Sequence, residues 1–316
     1  MSAGCHHHHH TEKALSVTLA INVLLTALKW TAFVFTRSSS LFAEAVHSTF
    51  DTMNPLVLWL GYSRSRRPRC EQHPQGHSRE AFFWSLMAAI MMLTFGAGFT
   101  AYRGVQALVF GYVPEMHWWA AAIMAVALVG EGISLLLSRR ALKGDDIHRT
   151  KNTTALALVF ENSVDMLGVT LALAGYGLFL LTGQAVWDAI FSLAIACLLA
   201  GSSVFLIRRN LSLITGETAS EDVCAAAEDI VRRTPGVMRV ARLVVTMSGP
   251  EEMRCSVSVV LDAPGLADEF RTKAYEQTTD EAVYWTMIRV ARTRNDIKER
   301  LLAGVPGLVS VNVECS

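Results

Sequence analysis

Charged side chains are scarce in this chain of 316 residues. Asp, Glu, Lys and Arg make up 18% of it and hydrophobic residues 52%, whereas an average soluble protein has about 25% charged residues. The shortage is concentrated between Lys13 and Arg209, where long apolar runs follow one another, while Leu211–Ser316 resembles an ordinary globular sequence. The formal net charge is zero, which excludes an overall field that would recruit nucleic acid. This composition predicts a membrane protein with a soluble domain.

Several catalytic and processing motifs are also missing. The six cysteines include no C-x-x-C pair, which excludes a zinc ribbon and a thioredoxin-like redox motif. No H-E-x-x-H pattern occurs, so an intramembrane metalloprotease is not favoured. No small-residue cleavage site follows the charged start, so we expect no cleavable signal. We expect a protein that is not an enzyme and has no cofactor.

Six apolar segments each have the length of a transmembrane helix, which needs about 20 residues. They are Ala14–Phe35, Leu41–Gly61, Phe82–Phe110, Trp118–Ser138, Ala155–Leu181 and Val186–Ile207. Tryptophans at segment ends, such as Trp118 and Trp187, are typical of interfacial anchors. We therefore predict a cytosolic tail over residues 1–13 and a six-helix transmembrane domain over residues 14–210.

Positive charge alternates between the connections. The cations that follow the second, fourth and sixth segments are Arg64, Arg66, Arg67, Arg69, Arg79, Arg139, Arg140, Lys143, Arg149, Lys151, Arg208 and Arg209. The connections near Ser38–Ser40, Gly111–His117 and Thr182–Gln184 carry almost none apart from Arg37. The positive-inside rule then predicts that both termini are cytoplasmic. Because no transit peptide is evident, we expect a bacterial inner membrane.

Residues 211–316 are predicted to form a small cytosolic α+β domain with the order α-β-β-α-β. The predicted elements are the helix Ser220–Thr234, the strands Arg239–Met247 and Met253–Leu261, a helix around Asp280–Leu302 and the strand Leu308–Val313. The second strand alternates apolar and polar residues, as a half-buried strand does. The size of the domain suits dimerisation better than catalysis.

Two pairs of ionisable residues lie within the apolar segments. His47 and Asp51 are four residues apart on the second segment, and Glu161 and Asp165 on the fifth. This spacing puts both side chains of a pair on one helix face, with Cβ atoms roughly 5–6 Å apart. An acidic residue at mid-membrane costs about 2.5–3.5 kcal/mol, which indicates a function. One imidazole and three carboxylates can converge on a divalent cation. Interhelical hydrogen bonding or a buried structural ion pair is the alternative, but neither segment carries a Lys or Arg at matching depth.

Three further residues are predicted to support this site. Glu44, one turn before the first pair, is expected near the headgroups or beside a ligand. Asn54 can orient a ligand or bond a neighbouring helix. Glu131 on the fourth segment can relay protons or pair with a polar neighbour, and close helix packing is expected at Gly130 and Gly132 beside it.

Two groups of histidines lie outside the apolar segments. His73 and His77 are four residues apart in a basic loop, where they either bind metal or are simply solvated. Cys5 and the run His6–His10 either chelate metal before delivery or belong to a purification tag.

Several motifs resemble the cation diffusion facilitator family. They are Leu41–Asn54, His73–Glu80, Trp187-Asp188, and Leu213–Glu217 leading into Gly249–Glu252. The match runs over nearly the whole chain in the family's order. A divergent branch that includes the animal mitochondrial zinc transporter is resembled in Phe270–Gln277, Val159–Glu161 and Leu167-Gly168.

The resemblance implies a six-span domain and a cytosolic ferredoxin-like domain in a homodimer that exchanges metal, usually zinc, for protons. It also implies a second metal at His73 and His77. Many zinc exporters of the family have His or Asp where this chain has Glu161, and the harder oxygen ligand keeps manganese, iron and cobalt open. The terminal domain lacks the histidines that bind zinc in relatives, which leaves a thiolate site at Cys224, Cys255 and Cys315 as the alternative.

Ligand chemistry predicts how such a site would work. Metal binding requires a neutral imidazole and ionised carboxylates, so metal and protons displace one another. Alternating access would then couple metal export to proton entry, with His47 as the expected proton carrier. A non-transporting membrane scaffold that binds partners through its cytosolic domain is the competing interpretation. The expected partners are a divalent metal ion, protons, the lipid bilayer and a second copy of the chain.

Overall fold

The computed structural model describes residues 22–68, 70–144, 153–249, 252–262, 265 and 279–315. Outside these ranges lie Cys5, His6–His10, the start of the first predicted segment, Arg69, Arg149, Lys151 and Phe270–Gln277. The described chain divides into two compact units. The membrane unit comprises the described residues up to Ser63 together with Phe83–Leu211, and the sheet unit comprises Arg64–Phe82 together with the described residues from Ser212 onward.

Each of the six predicted apolar segments contains a described helix. The helices are α1 (Asn22–Thr36), α2 (Ser39–Ser65), α3 (Glu80–Phe110), α4 (Trp118–Gly144), α5 (Thr153–Thr182) and α6 (Ala185–Thr215). Among the described ends, the largest difference from prediction is at α6, which continues beyond the predicted end at Ile207. Within α3, Met92–Ala97 forms a π-helical turn, and a Cβ atom at Gly96 would lie 3.3 Å from the Phe50 ring of α2.

Four of the described helices are long and apolar enough to cross a membrane. The spans are Glu80–Phe110, Trp118–Arg140, Val159–Thr182 and Ala185–Thr215. The helix α1 is described only from Asn22, and α2 carries the imidazole, carboxylate and hydroxyl groups that lower its hydropathy. These spans make the chain a multi-pass integral membrane protein.

Glycines bring α6 close to two neighbouring helices. A Cβ atom at Gly104 of α3 would lie 2.9 Å from a leucine side chain of α6, and one at Gly175 of α5 would lie 2.5 Å from Phe191. Small residues of this kind let membrane helices pack closely. The close packing predicted at Gly130 and Gly132 is wrong, because a Cβ atom at either position would meet no described atom within 4 Å.

The sheet unit contains three strands and two helices among its described residues. In chain order they are α7 (Glu221–Arg232), β1 (Val237–Met247), β2 (Met253–Leu261), α8 (Thr279–Gly304) and β3 (Leu308–Cys315). The central strand β2 pairs antiparallel with β1 and parallel with β3. The predicted α-β-β-α-β order is therefore observed. The core is formed by residues of the sheet and both helices, including Val231, Val245, Val257, Val259, Ile297 and Leu301.

The loop Arg64–Phe82 packs with the sheet unit, whereas the sequence prediction assigned it to the transmembrane domain. Arg254 at the start of β2 donates a hydrogen bond to the carbonyl of Gln75. The Ser78 hydroxyl donates to the carboxylate of Glu252, which lies just before β2. The turn between β1 and β2 therefore holds this loop.

Candidate metal centre

The helices α2 and α5 bring three of the predicted ligands together inside the membrane unit. His47 and Asp51 lie on α2, and Asp165 lies on α5. The Nε2 atom of His47 is 2.9 Å from Asp165 Oδ1 and 3.4 Å from Asp51 Oδ2. The imidazole is 2% exposed. A buried nitrogen therefore lies between two carboxylates.

This spacing suits a metal ion. Tetrahedral zinc with bonds of about 2.0 Å places neighbouring ligand atoms about 3.3 Å apart. One ligand atom each from His47, Asp51 and Asp165 lie within 4.8 Å of one another. The shorter contact is a hydrogen bond between the His47 imidazole and the Asp165 carboxylate, and the nitrogen is its donor when the carboxylate is ionised. A metal at Nε2 would replace this proton, since both need the same lone pair.

Glu161, the fourth predicted ligand, lies outside the compact cluster but lines the same cavity. Asn54 Nδ2 donates to Glu161 Oε1 at 3.2 Å. Asn54 therefore connects α2 to the second predicted pair. A ligand role for Glu161 requires one of its carboxylate oxygens to turn toward the other three groups, while the other oxygen can keep the bond to the amide.

A cavity of about 230 Å³ adjoins the cluster. Its apolar lining residues include Phe50, Met53, Val57, Met92, Phe160 and Phe205, contributed by α2, α3, α5 and α6. Charges interact more strongly beside such walls than in water. The polar lining comprises the four predicted ligands together with Asn54, Ser85, Ser202, Arg209 and Asn210.

The start of α2 is fixed by a carboxylate of α6. Asp188 is 1% exposed and accepts hydrogen bonds from the hydroxyls of Ser38 and Ser40 and from the backbone N–H groups of Ser39 and Ser40, at 2.5–3.2 Å. The first N–H groups of a helix lack partners within it and carry partial positive charge. The buried Asp188 carboxylate accepts hydrogen bonds from these N–H groups and offsets their partial positive charge. Asp188 therefore positions the helix that bears the first predicted ligand pair.

Lys29 of α1 is a buried cation that the sequence analysis did not assign. Its ammonium lies 2.8 Å from Glu44 Oε1, 2.6 Å from Ser48 Oγ and 3.9 Å from Glu131 Oε1. Glu44 is 0% exposed, so its carboxylate is buried among the helices. Glu131 has the polar neighbour that was one of its two expected roles, because its carboxylate pairs with the Lys29 ammonium. A charged residue inside an apolar segment is costly, so the argument that identified the acidic pairs could also have identified Lys29 in the predicted segment Ala14–Phe35.

A second cluster forms in the loop of the sheet unit. Cys70 Sγ lies 3.6 Å from His73 Nδ1, and the ring centroids of His73 and His77 are 4.4 Å apart. One ligand atom from each residue lies within 4.8 Å of the other two. Sequence analysis missed Cys70, which the C-x-x-H spacing before His73 would have found. A thiolate and two imidazoles are ligands that zinc prefers.

Cys224, Cys255 and Cys315 show no comparable arrangement. Among the described residues, the groups of three metal-ligating side chains within that distance are the two clusters above, so a site at Cys224, Cys255 and Cys315 is not supported. Burial, with a smaller effect of nearby Cys224, raises the pKa of the Cys255 thiol to about 11. Burial also raises the pKa of Cys315. A thiol that stays protonated is a poor metal ligand.

Residues 15–215 match the cation efflux transmembrane domain, which is more than half of the chain. The protein therefore belongs to the cation efflux family and is by class a membrane transporter, not an enzyme. This finding confirms the family that the sequence motifs resemble.

The animal mitochondrial branch is represented among similar curated proteins. The chain is 28% identical over 300 residues to the proton-coupled zinc antiporter SLC30A9, mitochondrial, of Xenopus laevis, covering 92% of this chain and 53% of that protein. The human protein of the same name is 30% identical over 260 residues, with coverage of 79% and 46%. Metal tolerance protein C4 of Arabidopsis thaliana is 31% identical over 222 residues, with coverage of 67% and 49%. The chain thus spans about half the length of these relatives.

Proposed function

We propose that the protein exports a divalent metal cation, with zinc favoured, in exchange for protons. The observation that carries this proposal is the convergence of His47, Asp51 and Asp165 inside the membrane unit. Family membership supports cation efflux. The names of the animal relatives, proton-coupled zinc antiporters, support zinc as the cargo and protons as the counter-ion.

The proposed exchange centres on His47 Nε2. This nitrogen shares a hydrogen bond with the Asp165 carboxylate. Zinc requires a neutral imidazole with a free lone pair and ionised carboxylates, so its binding expels protons and protonation expels zinc. Glu161 completes the ligand set with one carboxylate oxygen, and Asn54 orients the carboxylate through its hydrogen bond to the other. The site opens first to one side of the membrane and then to the other. The competition between zinc and protons then couples metal export to proton entry.

The proposed architecture is six transmembrane helices, α1–α6, followed by a ferredoxin-like domain in a homodimer. Agreement of six helices with six predicted segments supports the first part, and the observed α-β-β-α-β order supports the second. The arginines between α2 and α3 and after α4 support cytoplasmic termini. A bacterial inner membrane stays a prediction. Cys70, His73 and His77 are proposed to hold a second metal ion in the loop of the sheet unit.

The proposal is tested by zinc flux into liposomes that contain the purified protein, under an imposed pH gradient. Wild type is expected to transport zinc only with the gradient, and Asp51→Asn and Asp165→Asn are expected to abolish flux while remaining folded. Asp222→Asn makes the same chemical change on the exposed surface of α7 and should transport normally. Flux retained in both site variants would refute the site, and no flux of any divalent metal in wild type would favour the scaffold interpretation.

The choice of metal is tested at Glu161. The favoured cargo is zinc, but a site with three carboxylates also suits harder ions such as manganese. Exchanging one carboxylate for imidazole in Glu161→His is expected to increase the preference for zinc over manganese, measured as the ratio of kcat/KM values in the same liposomes. An unchanged ratio would count against a ligand role for Glu161.

A further inference from the structure

A row of polar side chains joins α1 to α2 beside the metal site. Thr26 Oγ1 lies 3.0 Å from Thr52 Oγ1, and Trp30 Nε1 donates to Thr49 Oγ1 at 2.9 Å. Between them Lys29 donates to Glu44 and Ser48, at 2.8 and 2.6 Å. Among these residues Lys29 carries the positive charge, and its side chain is buried, with 2% exposed.

Lys29 connects three helices through its single ammonium group. Glu44 and Ser48 belong to α2, while Glu131, 3.9 Å away, belongs to α4. An ammonium inside a helix bundle is costly unless it is paired. The paired geometry therefore restricts how far α2 can rotate or slide without leaving both Lys29 and Glu44 unpaired.

The contacts of Lys29 lie next to the ligands on α2. Glu44 and Ser48 share one face, about 60–100° around the helix axis from His47. Because a helix is a stiff rod, fixing that face fixes the direction of the His47 face toward α5. The second oxygen of Glu44 also faces α5, where a Cβ atom at Gly168 would lie 3.0 Å from it.

We propose that Lys29 is a positioning residue of the transport site, which rests on the proposed function: its ion pair with Glu44 holds α2 in the rotation that aims His47 and Asp51 at Asp165. Loss of the ammonium frees this rotation and leaves the Glu44 carboxylate without its cation. Lys29 itself does not touch the transported ion. Its effect is on how often the ligands are assembled, so it acts on zinc recognition rather than only on stability.

The test compares KM and kcat for zinc flux in liposomes with thermal unfolding of the same preparations. Flux reports the transport site, whereas direct zinc titration would also count the loop cluster and the run His6–His10. The variants are Lys29→Met, Glu44→Gln and the double variant that carries both changes. The matched control is Thr31→Val, because the Thr31 hydroxyl bonds to the carbonyl of Ala27 in its own helix.

Lys29→Met is expected to raise KM by about tenfold or more, the range seen when groups that orient metal ligands are lost. The double variant removes both charges, so it is expected to recover the unfolding temperature but not the KM. Recovery of both together would show a purely structural ion pair and overturn the proposal, as would a wild-type KM in Lys29→Met. Thr31→Val should match wild type.

Two further measurements keep the outcome interpretable. If Lys29→Met does not fold, Ser48→Ala removes one bond of the ammonium and keeps the ion pair, and it is expected to raise KM in a protein that still folds, with a lower unfolding temperature; an unchanged KM would overturn the proposal. Asp51→Asn is measured in parallel. If wild type carries no zinc, or if Asp51→Asn behaves as wild type, the proposed function fails. If both behave as expected and Lys29→Met equals wild type, only the role of Lys29 fails.

Discussion

The absence of a side chain at Gly168 lets α5 lie against the proposed metal site. A Cβ atom there would lie 3.0 Å from Glu44 Oε2, 3.7 Å from His47 Cδ2 and 3.9 Å from His47 Nε2. The first distance is shorter than an ordinary carbon–oxygen contact. Glu44 cannot yield without straining its ion pair with Lys29, so a methyl group would press on the residues that orient His47.

Gly168→Ala is therefore expected to weaken zinc recognition, with KM raised about tenfold for an overpacking cost of roughly 1–3 kcal/mol. Gly177→Ala is the matched control on the same helix, because its Cβ atom would meet no described atom within 4 Å. Alanine favours a helix over glycine at both positions. Zinc flux in liposomes measures the difference, and equal KM values for the two variants would contradict the expectation.

Sequence spacing could predict the ligand pairs but not their partners. His47 and Asp51 share a helix face because the spacing is local, and the same holds for Glu161 and Asp165. The bond of Glu161 to Asn54 depends on the rotation of α5 relative to α2, which helical spacing does not specify. The pairing of Lys29 likewise depends on the order in which the helices pack.

At the scale of helices, α2 is held at its start by another helix. Asp188 of α6 binds the hydroxyl and N–H groups of Ser38–Ser40. Hydrogen bonds to a charged group contribute about 1.5–3 kcal/mol each, and a lost acceptor would leave buried donors without a partner. The position of the ligand-bearing helix therefore depends on a residue far from the ligands in sequence.

Asp188→Ala is expected to lower the free energy of unfolding by roughly 2–4 kcal/mol, since several buried donors lose their acceptor. Asp188→Asn should cost less, because the amide oxygen still accepts. Thermal unfolding of the detergent-solubilised protein measures both, with Asp222→Ala on the exposed face of α7 as the control. Unfolding of Asp188→Ala at the wild-type temperature would show that the contact does not stabilise the start of α2.

Hydropathy predicted a helix at each of the six apolar segments, four of which are long and apolar enough to span a membrane as described, because apolar length is a property of each segment alone. It did not predict the π-helical turn at Met92–Ala97, whose extra residue per turn is not encoded in apolar content. It also missed the continuation of α6 to Thr215, since helices can extend beyond their apolar stretch. The docking of Arg64–Phe82 depends on Glu252 and Arg254, residues too distant in sequence for pattern analysis.

At the scale of the whole molecule, positive charge is distributed unevenly among the connections between the helices. The formal net charge is zero, yet cations are concentrated between α2 and α3 and after α4, and the connections on the other side carry almost none. The proposed orientation therefore puts the loop cluster of Cys70, His73 and His77 in the cytosol. Cysteine labelling can test both the orientation and the cluster, because Cys70 is exposed.

A membrane-impermeant maleimide is expected to label Cys70 only after cells are permeabilised, and Gln184→Cys, between α5 and α6, in intact cells. The background keeps Cys255, which is buried and whose raised pKa of about 11 leaves little reactive thiolate near neutral pH, and replaces the other cysteines with serine. Zinc should protect Cys70 by binding its sulfur, and less so after His77→Ala. The reverse labelling pattern would invert the orientation, whereas labelling that zinc does not change would remove the second metal site and leave the orientation standing.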